Sequence, residues 1–427
     1  VIGSIKHVQT LDETATIATM VAHSPDTLSA RVRALAREEA PRATELRREL
    51  HTHPEICYEE VRTSARIRQA LDEAGIAHKD GLAGGTGTLA FLPGTAATAI
   101  ALRTDIDGLP IVEENKSPWV SRTVGRMHAC GHDGHTAILV GAARVLKRLA
   151  SESALPNPVR FLFQPAEEGG AGGRRMVEDG ALDALPEGPA PRRIYGLHNF
   201  PGVTLGALQT RRGSLFASSD RYEVVVRGQA AHAAWPHHGR DPILAASAIV
   251  VALQSIVARE TDPLDAAVVS TTTFHSGTAT NQIPASATLQ GTARALREET
   301  RSHIERRIAE VARDVARAHR CEAEVVYTRG YPVTRNDDRS VAEFERIVRE
   351  HLPWQRLEHM DVPVMGGEDF AFYAEKIPAC FYILGMEDGQ WKSAHLHQPT
   401  YDFNDAAIEH GITAMAMLAL CDQSPSA

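Results

Sequence analysis

The sequence predicts an α/β protein: a large domain with a mostly parallel central sheet flanked by helices, interrupted by a smaller α+β domain. Three observations predict it. Up to about residue 215, strand-like and helix-like segments alternate, which is the rhythm of a parallel sheet with helical crossovers. From 216 to 330 the order becomes β-α-β-β-α-β, that of a compact ferredoxin-like unit. From 331 the first style resumes, so the smaller unit is inserted. The chain divides into 27–215 and 331–427 for the large domain, 216–330 for the insert, and 1–26 for an N-terminal extension without a clear apolar signal region.

The elements follow in order. "DTLSARVRALAREEA" and "ATELRREL" carry apolar residues at helical spacing, with Pro41 between them as a break or first-turn residue. "EEVRTSARIRQALDEAG" is a helix closed by Gly75. Strands are expected at "GTLAFL", "TAIALRTDI", "VRFLFQP", "RRIYGLHN" and "GVTLGALQT", alternating with helices "HTAILVGAARVLKRLA" and "GGRRMVEDG". In the insert, "DRYEVVVRGQ", "AAVVSTTTFHSG", "ASATLQGTARAL" and "CEAEVVYTRG" read as strands. "DPILAASAIVVALQSIVARE" and "RSHIERRIAEVARDVARAHR" read as its two helices. Helices "SVAEFERIVREHL", "EDFAFYAEK" and "NDAAIEHGITAMAMLAL", with strand "ACFYILG", complete the large domain.

Composition narrows the function. With 427 residues, 43% hydrophobic and 23% charged, the chain has ordinary globular values and material for a sizeable core. A net charge of −9, with no basic stripe interleaved with aromatics, speaks against nucleic acid as a partner. The apolar run "ILAASAIVVAL" falls short of a membrane span. Five scattered cysteines without a CxxC pair indicate neither a disulfide framework nor a zinc ribbon, and fit a reducing cytoplasm.

Residues able to carry chemistry gather in four segments. "MHACGHDGH" offers His128, Cys130, His132 and His135 within nine positions. Cys130 and His132 are two apart, so they share a centre only on irregular backbone ahead of a helix starting near Asp133. Asp133 itself suits that helix's first turn, and His135 either points with His132 or packs. "FQPAEEGGAGG" runs a strand into Glu167 and Glu168. Adjacent carboxylates on extended backbone point to opposite sides, so one can hold a metal while the other accepts a proton from water. His198 ends a predicted strand, and "HLHQP" adds His395 and His397. Taken together, Cys130, His132, Glu168, His198 and His397 exceed the ligands of one tetrahedral zinc and suit two divalent ions. No HExxH, GxSxG or PCxxC occurs, which argues against zincins, serine hydrolases and zinc deaminases. A Cys–His nucleophile at Cys130 stays open.

These residues belong to longer ordered stretches: "RRELHTHPEICYEE", "RTDIDGLP", "MHACGHDGHTAILVGAARVL", "FQPAEEGGAGGRRMVEDG", "GLHNFPGV", "HAAWPHHGRDPI", "NQIPASATLQGTAR", "GGEDFAFY" and "HLHQPTYDFND". The chain thereby resembles the hippurate hydrolases and indoleacetyl-amino-acid amidohydrolases, a branch of the aminoacylase and carboxypeptidase-G type of dinuclear metallopeptidase. The resemblance implies a catalytic α/β domain with an inserted lid or dimerisation domain. It implies two divalent ions per subunit (Zn, Mn, Co or Ni) on Cys130, His132, Glu168, His198 and His397, with His397 favoured over His395. Glu167 resembles the general base acting on a metal-bridging water. Arg103 stands where the wider family has a histidine ligand and cannot ligate, which leaves Asp105 at most an orienting role. His232 resembles a lid histidine that stabilises the oxyanion, often from a partner subunit. Asn281 and Arg294 look like lid residues that meet substrate, Arg294 through its α-carboxylate. The implied activity is hydrolysis of N-acyl-amino acids by a homodimer or higher homo-oligomer. A small-peptide dipeptidase or carboxypeptidase and a catalytically silent binding relative are the alternatives.

Overall fold

The computed structural model describes residues 25–391 and 394–423. All but the last two residues of the expected extension 1–26 lie outside them. The first element is one helix, Pro25–Thr52, where two were expected on either side of Pro41. An interior proline costs about 3 kcal/mol. However, Val32, Leu35, Ala36, Ala43, Leu46 and Leu50 are all buried along the helix, which packs on helices His132–Glu152 and Ala407–Cys421. Each larger side chain contributes roughly 1.5–3 kcal/mol, so the continuous stripe outweighs the proline.

Eight strands form the large sheet, in the order Ala77–Leu82, Gly87–Leu92, Val159–Gln164, Ala99–Asp105, Pro191–Thr204, Ala379–Glu387, Leu208–Thr210 and Leu357–His359. The middle four are mutually parallel, and antiparallel pairs occur towards both edges. Strands Ala99–Asp105 and Val159–Gln164 are buried throughout, as expected for parallel strands covered on both faces. "RRIYGLHN" and part of "GVTLGALQT" merge into the single strand Pro191–Thr204. The strand Ala379–Glu387 pairs with it from Ile194 to Phe200 and again at Thr204, carrying the ladder past Pro201 and Gly202. Pairing with Ala99–Asp105 stops at Gly196. His198 is therefore inside a strand yet beyond the carboxyl end of one neighbour, the place where open α/β sheets bind ligands.

The second sheet has strands Ala267–Ser276, Ser286–Ala295, Ser219–Arg227 and Glu322–Tyr331 in that order, each antiparallel to the next. Together with helices Pro242–Ser255 and Glu298–Ala318 it has the expected ferredoxin-like order. Tyr222, Val224, Ile249, Leu253, Leu289, Ile304 and Ile308 form a core of its own. Residues 242–260 are long and apolar enough, by length and composition alone, to cross a membrane, more than the apolar run in the sequence suggested. One side of this helix (Ala245, Ala246, Ile249, Leu253) is buried, while Leu244 and Val251 are 58% and 74% exposed.

Beneath the start of helix His132–Glu152 lies a buried charge cluster. Asp133 does more than complement the helix dipole: its carboxylate meets Arg47 Nε at 2.9 Å and His51 Nδ1 at 2.8 Å. Arg47 also pairs with Asp402, and His51 Nε2 reaches Glu113 at 3.1 Å. Burial opposes charge on His51, but Asp133 and Glu113 prevail and hold its pKa up at about 9.

Candidate metal centre

The turn before helix His132–Glu152 depends on Gly131, whose φ is 93°. A Cβ there would lie 2.2 Å from Asn199 Oδ1 and 2.5 Å from the Tyr401 hydroxyl oxygen, so both the backbone conformation and the space demand glycine. The turn sets Cys130 ahead of the helix and makes His132 its first residue. His132 Nδ1 lies 2.9 Å from the Asp107 carbonyl and 3.1 Å from its carboxylate. The proton therefore sits on Nδ1, and the buried Nε2 has no hydrogen-bond partner. His198 Nδ1 donates likewise to the Asn199 carbonyl at 2.6 Å, leaving Nε2 facing Cys130 Sγ at 3.3 Å. His397 Nε2 lies 3.4 Å from that sulfur and 3.1 Å from Glu168 Oε1.

Two overlapping groups result, Cys130–His132–His198 and Cys130–Glu168–His397, the donor atoms of each lying within 4.8 Å of one another. They share the sulfur, as a bridge between two ions would. Both buried imidazoles have Nδ1 engaged by an oxygen acceptor, which leaves His132 Nε2 without a hydrogen-bond partner and turns His198 Nε2 toward the Cys130 sulfur, the way metal-ligating histidines are held. All five expected ligands thus converge, and the donor set fits two divalent ions. Burial, with Glu168 and Glu167 alongside, pushes the Cys130 thiol well up, the reverse of what an unaided nucleophilic thiolate requires. His397 has a positive φ of 64°, strain of the kind that collects at functional sites, and its N–H donates to the Ala129 carbonyl at 2.8 Å. His395 is exposed. His135 engages Asp105 and Asn199 through its two ring nitrogens, each at 2.6 Å. His128 is buried, and burial lowers its pKa to about 4.

Glu167 and Glu168 sit on a loop flanked by left-handed Ala166 (φ 56°) and Ala171 (φ 55°). Three groups pin it. Glu60 accepts from Ala166 N at 3.0 Å, and Asp107 accepts from Glu168 N at 2.9 Å. The Tyr331 hydroxyl, from the last strand of the second sheet, accepts from Gly169 N at 2.8 Å and Ala171 N at 3.2 Å, and donates to the Glu167 carbonyl. Glu167 is buried, and burial together with Glu368, Glu168 and Asp369 pushes its pKa well up. Glu168 is held below the usual carboxylate range: burial works against this, but His397 and His132 outweigh it. The two neighbours thus differ in proton affinity, as their different expected tasks require. Tyr331→Phe should lower kcat about tenfold or more with a smaller change in KM, because sub-ångström positioning of the Glu167 carboxylate is lost. A lower melting temperature at unchanged kcat would make Tyr331 merely structural.

Sequence reasoning missed Asp107 and the Glu368–Asp369 pair. Asp107, two residues after Asp105 in "RTDID", orients both His132 and the Glu168 backbone. Asp105 instead holds His135 and lies 3.7 Å from His132 Nε2. Arg103, known from sequence only as a non-ligand, is fully buried and meets Asp105 at 2.9 Å, Asp369 at 2.8 Å and Glu368 at 3.2 Å. It is the counter-charge to the carboxylates behind the site. The only sequence signal was acidic residues in separate motifs.

A cavity of about 800 Å³ opens over the centre, lined by Cys130, Glu167, Glu168, His198 and His397. Of the expected insert residues, Arg294 lines it, while His232 and Asn281 do not. Those two adjoin each other: Ala233 N donates to the Asn281 carbonyl at 2.9 Å, and both residues are exposed.

An α/β sheet with a ferredoxin-like insert, and a Cys/His/Glu centre at its strand ends, define a metallopeptidase-type hydrolase. The chain belongs to peptidase family M20/M25/M40, whose model matches residues 101–420. It is 39% identical over 366 residues to an N-acetyl-L-cysteine deacetylase of Bacillus subtilis, covering 85% of this chain and 84% of that one. It is 36% identical over 376 residues to the hippurate hydrolase of Campylobacter jejuni, covering 88% and 95%. The crystal structure of Bacillus subtilis YXEP, described as a dinuclear metal binding peptidase from the M20 family, superposes with a TM-score of 0.77 at 34% identity, covering 90% and 98%.

Proposed function

We propose that the protein hydrolyses the amide bond of N-acyl-amino acids to a carboxylate and a free amino acid. The observation that carries this reading is the pair of donor groups sharing Cys130, with the buried Glu167 beside them. Cys130, His132, Glu168, His198 and His397 would hold two divalent ions of the Zn, Mn, Co or Ni type. When bound, such ions supply Lewis acidity toward the amide carbonyl and lower the pKa of water. Glu167 removes a proton from the attacking water and returns it to the leaving nitrogen. Arg294 takes the substrate α-carboxylate as a bidentate fork.

The insert, residues 216–330, serves as lid and dimerisation domain, and His232 with Asn281 completes the site of a second copy, His232 stabilising the oxyanion. The exposed Leu244 and Val251 on one helix and the free outer edge of strand Ala267–Ser276 support such a contact, since apolar surface and unpaired edges favour association. Five free cysteines support a cytoplasmic setting.

Metal-reconstituted protein assayed against hippurate, acetyl-amino acids and dipeptides tests the reaction. Preferential cleavage of acyl-amino acids is expected; preference for dipeptides, or no turnover with metal bound, would overturn it. Cys130→Ser should lower the metal content found by elemental analysis, and unchanged content would remove Cys130 from the centre.

A further inference from the structure

Four arginines line the cavity: Arg174, Arg221, Arg294 and Arg329. Arg329 is neutralised by Glu298 and Glu305 at 2.5 and 2.6 Å, and Arg174 faces Glu178 at 3.8 Å. Among the described residues, no acidic side chain lies within ion-pair distance of Arg221 or Arg294. The nearby Asp220 is already engaged by Arg301, by the Tyr327 hydroxyl and by Gly330 N.

The strand register explains why these two face the cavity. Arg221 stands opposite Thr292, and Arg294 is two residues further along that strand, so both project from the same face as diagonal neighbours. The intervening Tyr222 and Ala293 are buried in the insert's core on the other face. Both line the cavity that opens over the centre. A Cβ on Gly169, next to Glu168, would lie 3.9 Å from Arg221 Nη2, and one on Gly367, next to Glu368, would lie 3.2 Å from Arg294 Nη1. Arg221, exposed to solvent, and the half-buried Arg294 share one face of the sheet and one cavity, and neither is held by a direct ion pair, so both guanidinium groups are open to pair with an incoming anion.

We propose that Arg221 is a specificity residue that binds a second carboxylate of the substrate, on the released amino acid, so that the preferred substrates are N-acyl derivatives of aspartate or glutamate. This rests on the amidohydrolase reading, in which Arg294 holds the α-carboxylate. Because Arg221 adjoins Arg294, the second anion belongs on the amino-acid side of the scissile amide. Arginine suits the task, as its fork takes a carboxylate in two parallel hydrogen bonds.

The experiment compares kcat/KM for N-acetylglutamate and the isosteric N-acetylglutamine on metal-loaded wild-type protein and on Arg221→Gln. Wild type should favour glutamate about 10- to 100-fold, the worth of a hydrogen bond to a charged group, expressed mainly in KM. Arg221→Gln should bring the ratio close to one. A wild-type ratio of one, or a preference that survives in Arg221→Gln, overturns the proposal. So does a preference for N-succinyl-alanine over N-acetylglutamate that depends on Arg221, since it would put the second anion on the acyl side. Binding of free glutamate and glutamine is measured calorimetrically on the same proteins. A glutamate preference lost in Arg221→Gln, with no turnover of any conjugate, upholds the Arg221 site while the amidohydrolase reading fails.

Discussion

Glu167→Gln will lower kcat by about 10²- to 10⁴-fold, the usual contribution of a positioned general base, while leaving metal content and fold intact. Glutamine keeps the shape and an acceptor for Asp369 N, which approaches Glu167 Oε1 at 3.4 Å, but it cannot take a proton. The loss should appear equally in kcat and kcat/KM, because the group acts in the transition state and not in substrate binding. Steady-state kinetics on protein with verified metal content is the check, and near-normal turnover would end the assignment of Glu167 as base. The same variant tests the division of labour between the two carboxylates of the loop: Glu168 lies with Cys130 and His397, and Glu167 with His132 and Glu168; if Glu168 is the ligand and Glu167 the base, replacing Glu168 should deplete metal and replacing Glu167 should not.

Asp133→Asn will destabilise the protein by about 1–3 kcal/mol, because it removes the carboxylate shared by Arg47 and His51, which then keep Asp402 and Glu113 among their partners. Arg47 and His51 are both fully buried, so water cannot replace the lost partner. The same cluster makes stability pH-dependent. The folded pKa of His51, about 9, lies above its ordinary value of 6.5. Its stabilisation is therefore complete below about pH 6.5, declines as pH rises through 9 and is absent above, a change on the order of 3 kcal/mol. Urea unfolding of wild type and His51→Gln at several pH values measures this. Parallel midpoints for the two proteins across pH 6–10 would show that His51 does not carry the slope.

Much of the site was legible in the linear sequence because metal chemistry restricts residue type. Cys130, His132, Glu168, His198 and His397 are scarce, chemically committed side chains placed at strand ends and helix starts, and the structure brings their donor atoms together. What could not be read is what holds them. Asp107 is one acid among 54 Asp and Glu residues, and nothing in "RTDID" distinguishes the carboxylate reaching His132 from the one holding His135. Arg103 looked like a lost ligand, and only the buried approach of Asp105, Glu368 and Asp369 shows its work as counter-charge. Tyr331 lies 164 residues from Glu167, beyond the reach of any local pattern.

The same division runs through the fold. Periodicity specified the helices, the strands and the change of style near residue 215, because local hydrophobic spacing follows the 3.6- and 2-residue repeats of the backbone. It erred where packing outweighed local preference, at the proline carried inside helix Pro25–Thr52 and at the two expected strands fused into Pro191–Thr204. By itself the sequence determined which elements form and which side chains can bind metal, since both depend on residue chemistry and near neighbours. Only the tertiary structure decided which carboxylate orients which histidine, which charges are buried together and which arginines face the cavity unpaired, because those energies depend on distance and burial between residues far apart in the chain.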